Sequence, residues 1–435
     1  MVIMKRVGKK TPGFSKENTP MRFRKVDHGL MITVALLCAL SYSSISHASS
    51  KALGGFNRQE MESISPLLRR GRVVSLIETK DNGFPKAMTL AVRINAPRPV
   101  SFSVFEDPKK FHFLSTLFEE AKILDGHKGS TAYSWASRHK LFSFVGLNTV
   151  ALFPPRRVDV SVVKSSLGKG DFRINFYEDG ADHSIMVLSG IVDVNSSDWL
   201  IKFLMGNSPG MRQAMNTAIG IVIIKGAKAM AELMASGKPL AKHRTRGSRS
   251  GPLKALGKEE LQAVEQLLDR GTVVVTSSVS GGKLDQAIAV AKVNAPAVKF
   301  IGAVATPEHY PTMVRAMNDI VIHERNDLMT DFSWTVGFSI FGLTTRSHLT
   351  FVPDGMTMDA VSGDLAGGLW RWQVVPREKD SCIVAYHSWA AFDKNVYILW
   401  KSIRREPYLE HGFMAGSNMV MLRAVRLAVE AKTKQ

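Results

Sequence analysis

An α+β fold used twice in tandem, each copy a curved antiparallel sheet around a long C-terminal helix, is what three observations predict. The chain repeats itself at an offset of about 200 residues. Each copy reads as a short helix, a hairpin, small helices, several β-segments and one long apolar helix. The 435 residues, 45% hydrophobic and 22% charged, suffice for two or three ordinary domains and exclude disorder, collagen or a coiled coil as a description of the whole.

The amino terminus reads as an address. Met21 is a second plausible start, followed by Arg22, Arg24 and Lys25 and then by an almost wholly apolar run from Leu30 to Leu40. That run is too short to cross a bilayer. Ser46-His47-Ala48 places small residues where a signal peptidase reads them, so residues 1–48 are expected to be a cleaved leader with an N-terminal extension, and the protein to be exported, periplasmic or secreted. The alternative is an uncleaved anchor. Leu37 before Cys38 argues against lipidation. Cleavage lowers the formal charge from +19 to +13 and leaves Cys382 as the sole cysteine, which excludes an internal disulfide and a thiolate zinc site.

The repeat is plain in the residues. Leu67-Leu68-Arg69-Arg70-Gly71-Arg72-Val73-Val74 returns as Leu267-Leu268-Asp269-Arg270-Gly271-Thr272-Val273-Val274, and Asn95-Ala96-Pro97 returns as Asn294-Ala295-Pro296. Trp135 answers Trp334 at an offset of 199, and Leu167, Arg173 and Pro209 answer Leu365, Arg371 and Pro407 at 198. The copies are expected at 56–234 and 256–432. Between them 235–255, with Lys242, Arg244, Arg246 and Arg249, reads as a basic flexible linker.

Within each copy the elements follow from local pattern. Leu261, Val264, Leu267 and Leu268 recur at helical spacing over Glu259–Leu268. Strands at Val73–Thr79 and Lys86–Ile94 flank Asp81-Asn82-Gly83, and the second hairpin turns at Ser280-Gly281-Gly282. Each Asn-Ala-Pro ends its strand, because proline has no N–H for the ladder and restricts the residue before it. Turns at 167–170 and at Asp179-Gly180 divide the β-segments. Met211, Ala214, Met215, Ala218, Ile219, Val222 and Ile223 make one unbroken helical face.

With the Asp107–Phe113 and Thr306–Pro311 segments after each Asn-Ala-Pro, and Val352-Pro353-Asp354 followed by Gly367–Trp372, the chain resembles the START-like (SRPBCC) superfamily. This group includes polyketide cyclases, lipid-transfer domains and coenzyme Q-binding proteins. The resemblance covers nearly all of the chain after the leader, about 180 residues twice. It implies two helix-grip domains, each around a hollow, and says little about function, since the family is defined by its cavity and not by a catalytic motif.

Enzyme motifs are scarce. Gly206-Asn207-Ser208-Pro209-Gly210 has the letters of a nucleophile elbow, but Pro209 lacks the N–H that an oxyanion hole takes from that position. Ser208-Pro209 reads instead as a helix start. His323-Glu324 lacks the second histidine of a zinc-protease helix, and Gly168-Lys169-Gly170 lacks the rest of a phosphate loop. The histidines do not recur: His112 aligns with Tyr310 or Pro311 and His127 with Asn326. No metal, cofactor or catalytic residue is assigned.

The candidate ligand-binding set is therefore apolar: Trp135, Phe142, Phe144, Trp199, Phe203, Met211 and Met215 in the first copy, and Trp334, Phe338, Trp370, Trp372, Trp389, Met414 and Met419 in the second. Arg173 and Arg371, the charged pair that recurs, are added as headgroup binders. Together they predict hollows of about 300 to 1,000 Å³ for a lipid, quinone or sterol-like molecule. The alternative is a cyclase or aromatase using Arg173, His112 or Tyr177, and a third reading makes the second copy a degenerate partner surface. The positive charge favours peripheral contact with anionic membranes, while export and the scatter of basic residues argue against nucleic acid.

Overall fold

The computed structural model describes residues 54–127, 129–138, 143–198, 201–202, 208–240, 247, 249–338, 341–390, 406 and 408–433. Leu53–Gln435 forms one compact unit. The leader lies outside the described residues.

The first copy begins with α1 (Arg58–Arg69), started by a capping box in which Asn57 and Glu60 each accept the other's backbone N–H. The hairpin follows as β1 (Val73–Thr79) and β2 (Pro85–Ile94), then α2 (Arg98–Ser103) and two short 3₁₀ turns. The meander is β3 (Glu120–His127), β4 (Ser130–Arg138), β5 (Ser143–Phe153), β6 (Arg157–Ser165), β7 (Lys169–Glu178) and β8 (Ser184–Asp193). It ends in α3 (Pro209–Ala235), where Ser208 accepts from the Met211 N–H and Pro209 opens the first turn, as the sequence predicts.

The second copy runs in the same order. It comprises α4 (Lys258–Leu268), β9 (Gly271–Ser278), β10 (Leu284–Val293), α5 (Ala297–Val304) and α6 (Tyr310–Met313). The strands β11 (Met317–Arg325), β12 (Met329–Phe338), β13 (Phe341–Val352), β14 (Gly355–Gly363), β15 (Leu369–Pro376) and β16 (Cys382–Trp389) lead to α7 (Leu409–Thr433).

The architecture is thus a tandem α+β protein with a large antiparallel sheet. The two halves share one sixteen-stranded sheet, in the order β11-β12-β13-β14-β15-β16-β10-β9-β1-β2-β8-β7-β6-β5-β4-β3. The seam is β1 against β9, two first strands whose free edges are removed by pairing with each other. Its register is symmetric: Val73 faces Thr276 while Leu76 faces Val273, and Val74 faces Val275 while Ser75 faces Val274. Exchanging each residue for its counterpart 200 positions away leaves these pairs unchanged. The ion pairs Arg70–Glu260 and Arg270–Glu60, both 2.6 Å, obey the same exchange.

Burial follows from this layering. The seam strands are covered on one side by α1 and α4, through Ile64, Leu67, Val264 and Leu267, so β1 is buried without a break over Val73–Ile77 and β9 over Val273–Thr276. Away from the seam, β7 alternates, with Phe172, Ile174 and Phe176 buried and Arg173 and Tyr177 outward. The long helices α3 and α7 touch where Gly412 meets Ala218 and Gly416 meets Ala214, contacts that a Cβ on either glycine would crowd. The face predicted for α3 is therefore only part of its buried surface. Gln213 donates to the Gly83 carbonyl (2.6 Å) and Asn216 accepts from the Val192 N–H (2.7 Å), which satisfies polar groups on another side of the helix.

The linker expectation is corrected in its second half. Arg249 is buried against Asp285 (3.6 Å) and lies over the Trp389 ring, and Lys254 exchanges backbone hydrogen bonds with the Gln286 side chain. Arg249 and Lys254 are thus each tied to β10, the first by its side chain and the second by its backbone. Lys242, Arg244 and Arg246 lie outside the described residues.

Candidate functional site

The first copy encloses a hollow of ≈ 90 Å³, partly open, between α3 and the inward positions of its sheet. Alternate residues supply the wall, as strand geometry requires: Tyr133 and Trp135 from β4, Asn148 and Val150 from β5, Val160 and Val162 from β6, Phe172 and Ile174 from β7, Leu188 and Val192 from β8. Phe105, Phe111, Leu114 and Phe118 close it from the segment after α2, and Ile219 and Ile223 from α3. The rings of Phe111 and Tyr133 meet edge to face at 5.4 Å, and those of Phe118 and Trp135 at 5.6 Å. Gly146 has a steric reason to be glycine, because a Cβ there would overlap the indole of Trp135 on the neighbouring strand.

The wall carries one polar group of note. The Trp135 indole N–H donates to Asn148 Oδ1 (3.2 Å), and Asn148 Nδ2 donates to Tyr133 Oη (2.9 Å). Burial pushes the Tyr133 phenol above its ordinary range, so it stays a neutral hydroxyl. The hollow is smaller than the sequence reading expects. An apolar cavity of about 150 Å³ takes benzene, so this volume is enough for part of a ring or the end of a chain, with any remainder at the opening.

The second copy differs at the same positions. Where β7 and β8 place Phe172, Ile174 and Leu188, β15 and β16 place Trp370, Trp372 and Tyr386, all buried. Trp372 lies 4.1 Å from Tyr386 and 5.5 Å from Phe300, ring centre to ring centre, and Trp334 meets Trp370 at 5.7 Å. The described interior of the second copy is thus richer in large aromatic side chains.

Of the predicted set, Trp135 alone among the described residues lines the hollow. Phe144 and Met215 pack against the main core outside it, and Met211 is half-buried on α3. Trp334, Trp370 and Trp372 are the second copy's filling, while Trp389 and Met414 belong to a small cluster with Leu284 and Leu343. Met419 is buried against Thr217 of α3, 3.0 Å from its hydroxyl. Phe338 pairs with Phe341 at the β12–β13 turn, and no side chain is described for either. Phe142, Trp199 and Phe203 lie outside the described residues.

The arginines are a correction. Arg173 pairs with Asp159 at 3.0 Å and Arg371 with Asp354, both on the side of the sheet opposite the buried Phe172, Ile174, Trp370 and Trp372. Strand alternation places them there. The residues named for a cyclase fare likewise: Tyr177 is 47% exposed, and His112 bonds the Lys109 carbonyl (2.8 Å) on a surface turn. Phe172 and Ile174 of the wall flank Arg173 and alternate with it, a pattern visible in the sequence, whereas Leu188 lies in a strand buried on both sides and has no such signal.

Among known proteins, no family model and no curated protein matches the chain. Solved structures do. A di-domain ARO/CYC, StfQ of the steffimycin biosynthetic pathway, matches over 80% of this chain and 99% of its own at 12% identity and a TM-score of 0.28. A second di-domain ARO/CYC, BexL of the BE-7585A pathway, covers 78% and 98% at 10% identity and 0.26. A STAR-related lipid transfer protein from Xanthomonas axonopodis covers 36% and 93% at 12% identity and 0.30. The START-like resemblance recurs among solved structures. Among the described residues no helix is long and apolar enough to cross a membrane.

Proposed function

We propose that the chain is a tandem START-like protein in which each copy is a helix-grip, the first binding a small apolar molecule and the second serving as its structural partner. The observation that carries this is the hollow of the first copy, lined by Ile174, Leu188, Ile219 and Ile223; at the places of Ile174 and Leu188 the second copy has the bulkier Trp372 and Tyr386, both buried. Burial drives such binding at about 0.8 kcal/mol per methylene, and a chain end or ring supplies several. No covalent step is needed for capture. A leader that takes the protein out of the cytoplasm and a charge of +13 that draws it to anionic surfaces complete the proposal.

Giving the first copy the second copy's side chains tests it. Ile174→Trp with Leu188→Tyr is expected to abolish uptake of an apolar molecule, read by solvent extraction and mass spectrometry of the purified protein. The added bulk should cost about 1–3 kcal/mol of stability. Unchanged cargo in the filled variant would refute the assignment of the site.

A further inference from the structure

We propose that the Tyr133 hydroxyl selects the cargo, donating a hydrogen bond to a carbonyl-type acceptor on an otherwise apolar ligand. The inference rests on the cavity reading above and adds the ligand's chemistry to it. Tyr133 and Asn148 both line the hollow, so their 2.9 Å bond lies in its wall. In that bond Asn148 Nδ2 is the donor and the phenol oxygen the acceptor. The hydroxyl hydrogen then has no protein acceptor among the described residues, although the residue is only 2% exposed.

A buried donor left unmade is costly, because it has given up water and gained no acceptor. The second copy shows that the cost is not forced by the tryptophan. There the Trp334 indole donates to Ser347 Oγ at 2.9 Å, and the position equivalent to Tyr133 is Phe332, fully buried. A serine and a phenylalanine are thus enough to satisfy the indole and pack this layer. The first copy, around its hollow, carries instead an asparagine that holds a phenol. Asn148 uses its oxygen on Trp135 and one of its two amide hydrogens on Tyr133, so the phenol oxygen accepts from it and the phenol hydrogen is directed elsewhere.

The selectivity this confers follows from the rest of the wall, which is almost wholly hydrocarbon. A hydrocarbon ligand leaves the hydroxyl unpaired, and a ligand with several polar groups leaves its own unpaired. A ring or chain end bearing one ketone or quinone-type oxygen matches both demands.

The test uses the full chain with cyclohexanone and methylenecyclohexane, which share a shape and differ in the acceptor. Binding is followed through the Trp135 indole N–H signal by NMR. Tyr133→Phe is expected to weaken cyclohexanone about tenfold, the worth of one buried hydrogen bond, and to leave methylenecyclohexane within about twofold. If both compounds bind and Tyr133→Phe changes them equally, the hydroxyl is not the selector, while the cavity assignment stands. If neither binds wild-type protein, the cavity assignment falls and this inference with it. Infrared spectra of bound cyclohexanone supply a readout that needs no variant: a carbonyl band shifted to lower frequency than in alkane supports the bond, and an unshifted band overturns it.

Discussion

The two copies are built on one register and one order of elements, yet their interiors have diverged. Trp135 and Trp334 occupy the same place, each tied by its indole N–H to the next strand. The wall that includes Trp135 is aliphatic and phenyl apart from Tyr133 and Asn148, whereas Trp334 meets Trp370, and Trp372 stacks near Tyr386, in the second copy. The seam between the copies, in contrast, has kept its symmetry down to paired ion pairs. The joint sheet is therefore common to both halves, whereas the side chains that face inward differ in bulk. A fold of this kind can hold one copy as a load-bound scaffold while the other keeps a cavity, because close packing is what stability asks of an interior.

The sharpest way to break the comparison is to empty the filled copy. Trp372→Ile with Tyr386→Leu gives β15 and β16 the residues found at Ile174 and Leu188. Loss of two large buried rings is expected to cost about 3–5 kcal/mol, seen as a lower midpoint in urea. If shape alone separates the copies, calorimetry with methylenecyclohexane should count two sites per chain instead of one. One site in a folded variant would show that the copies differ by more than their filling.

Much of this was legible before any coordinates. The offset of 200, the Val73–Thr79 strand, the stop at each Asn-Ala-Pro and the Ser208-Pro209 helix start each follow from a local rule, and each is where the rule places it. The continuity of the sheet was not legible, since nothing in β1 or β9 alone says that its partner is the other. The site was read poorly for a physical reason. Recurrence across copies singled out large aromatics and Arg173, but a hollow is made where side chains are smaller, and the two copies had to differ there. Tyr133 and Asn148 carry no such mark: their counterparts Phe332 and Ser347 are other residue types, and only the strand pairing of β4 with β5 brings them together.

A second asymmetry sits where the copies meet. Lys225 of α3 is buried, donates to Ser278 of β9 at 2.8 Å and lies over the Tyr408 ring; burial, aided by Lys228, lowers its pKa to about 7, while Glu232 and Glu410 hold it up. His411 on α7, buried beside it and donating to the Gly282 carbonyl at 3.0 Å, is kept neutral by burial and by Lys225. The unfolded lysine titrates near 10.5. Between about pH 7 and 10.5 the unfolded chain therefore binds more protons, and this residue's contribution makes stability rise with pH over that window. Below pH 7 its cost is present in full. Lys225→Met should raise stability at pH 6 to 7, on the order of a few kcal/mol at most. It should also flatten the rise toward pH 10, measured as the difference in urea midpoint between wild type and variant. Parallel profiles for the two proteins would remove Lys225 from the account.

The smallest effect comes from the most symmetric feature. Arg70 and Arg270 are counterparts, but their surroundings are not. Arg270 holds Glu60 at 2.6 Å and Glu78 at 3.0 Å, both carboxylates nearly buried. Arg70 is half exposed and shares Glu260 with Arg72, which pairs with it at the same 2.6 Å. Glu78 has Ser278 as its counterpart and Arg72 has Thr272, so each side of the seam has one charge the other lacks. Removing Arg270 leaves two sheltered carboxylates without a cation, whereas removing Arg70 leaves Glu260 with Arg72. Arg270→Ala is expected to cost about 1.5–3 kcal/mol and Arg70→Ala under about 1 kcal/mol. Added salt should narrow the gap only slightly, because sheltered charges are poorly screened. Equal losses would mean that the seam behaves as symmetrically in energy as it does in register, and that the divergence of the copies is confined to their interiors.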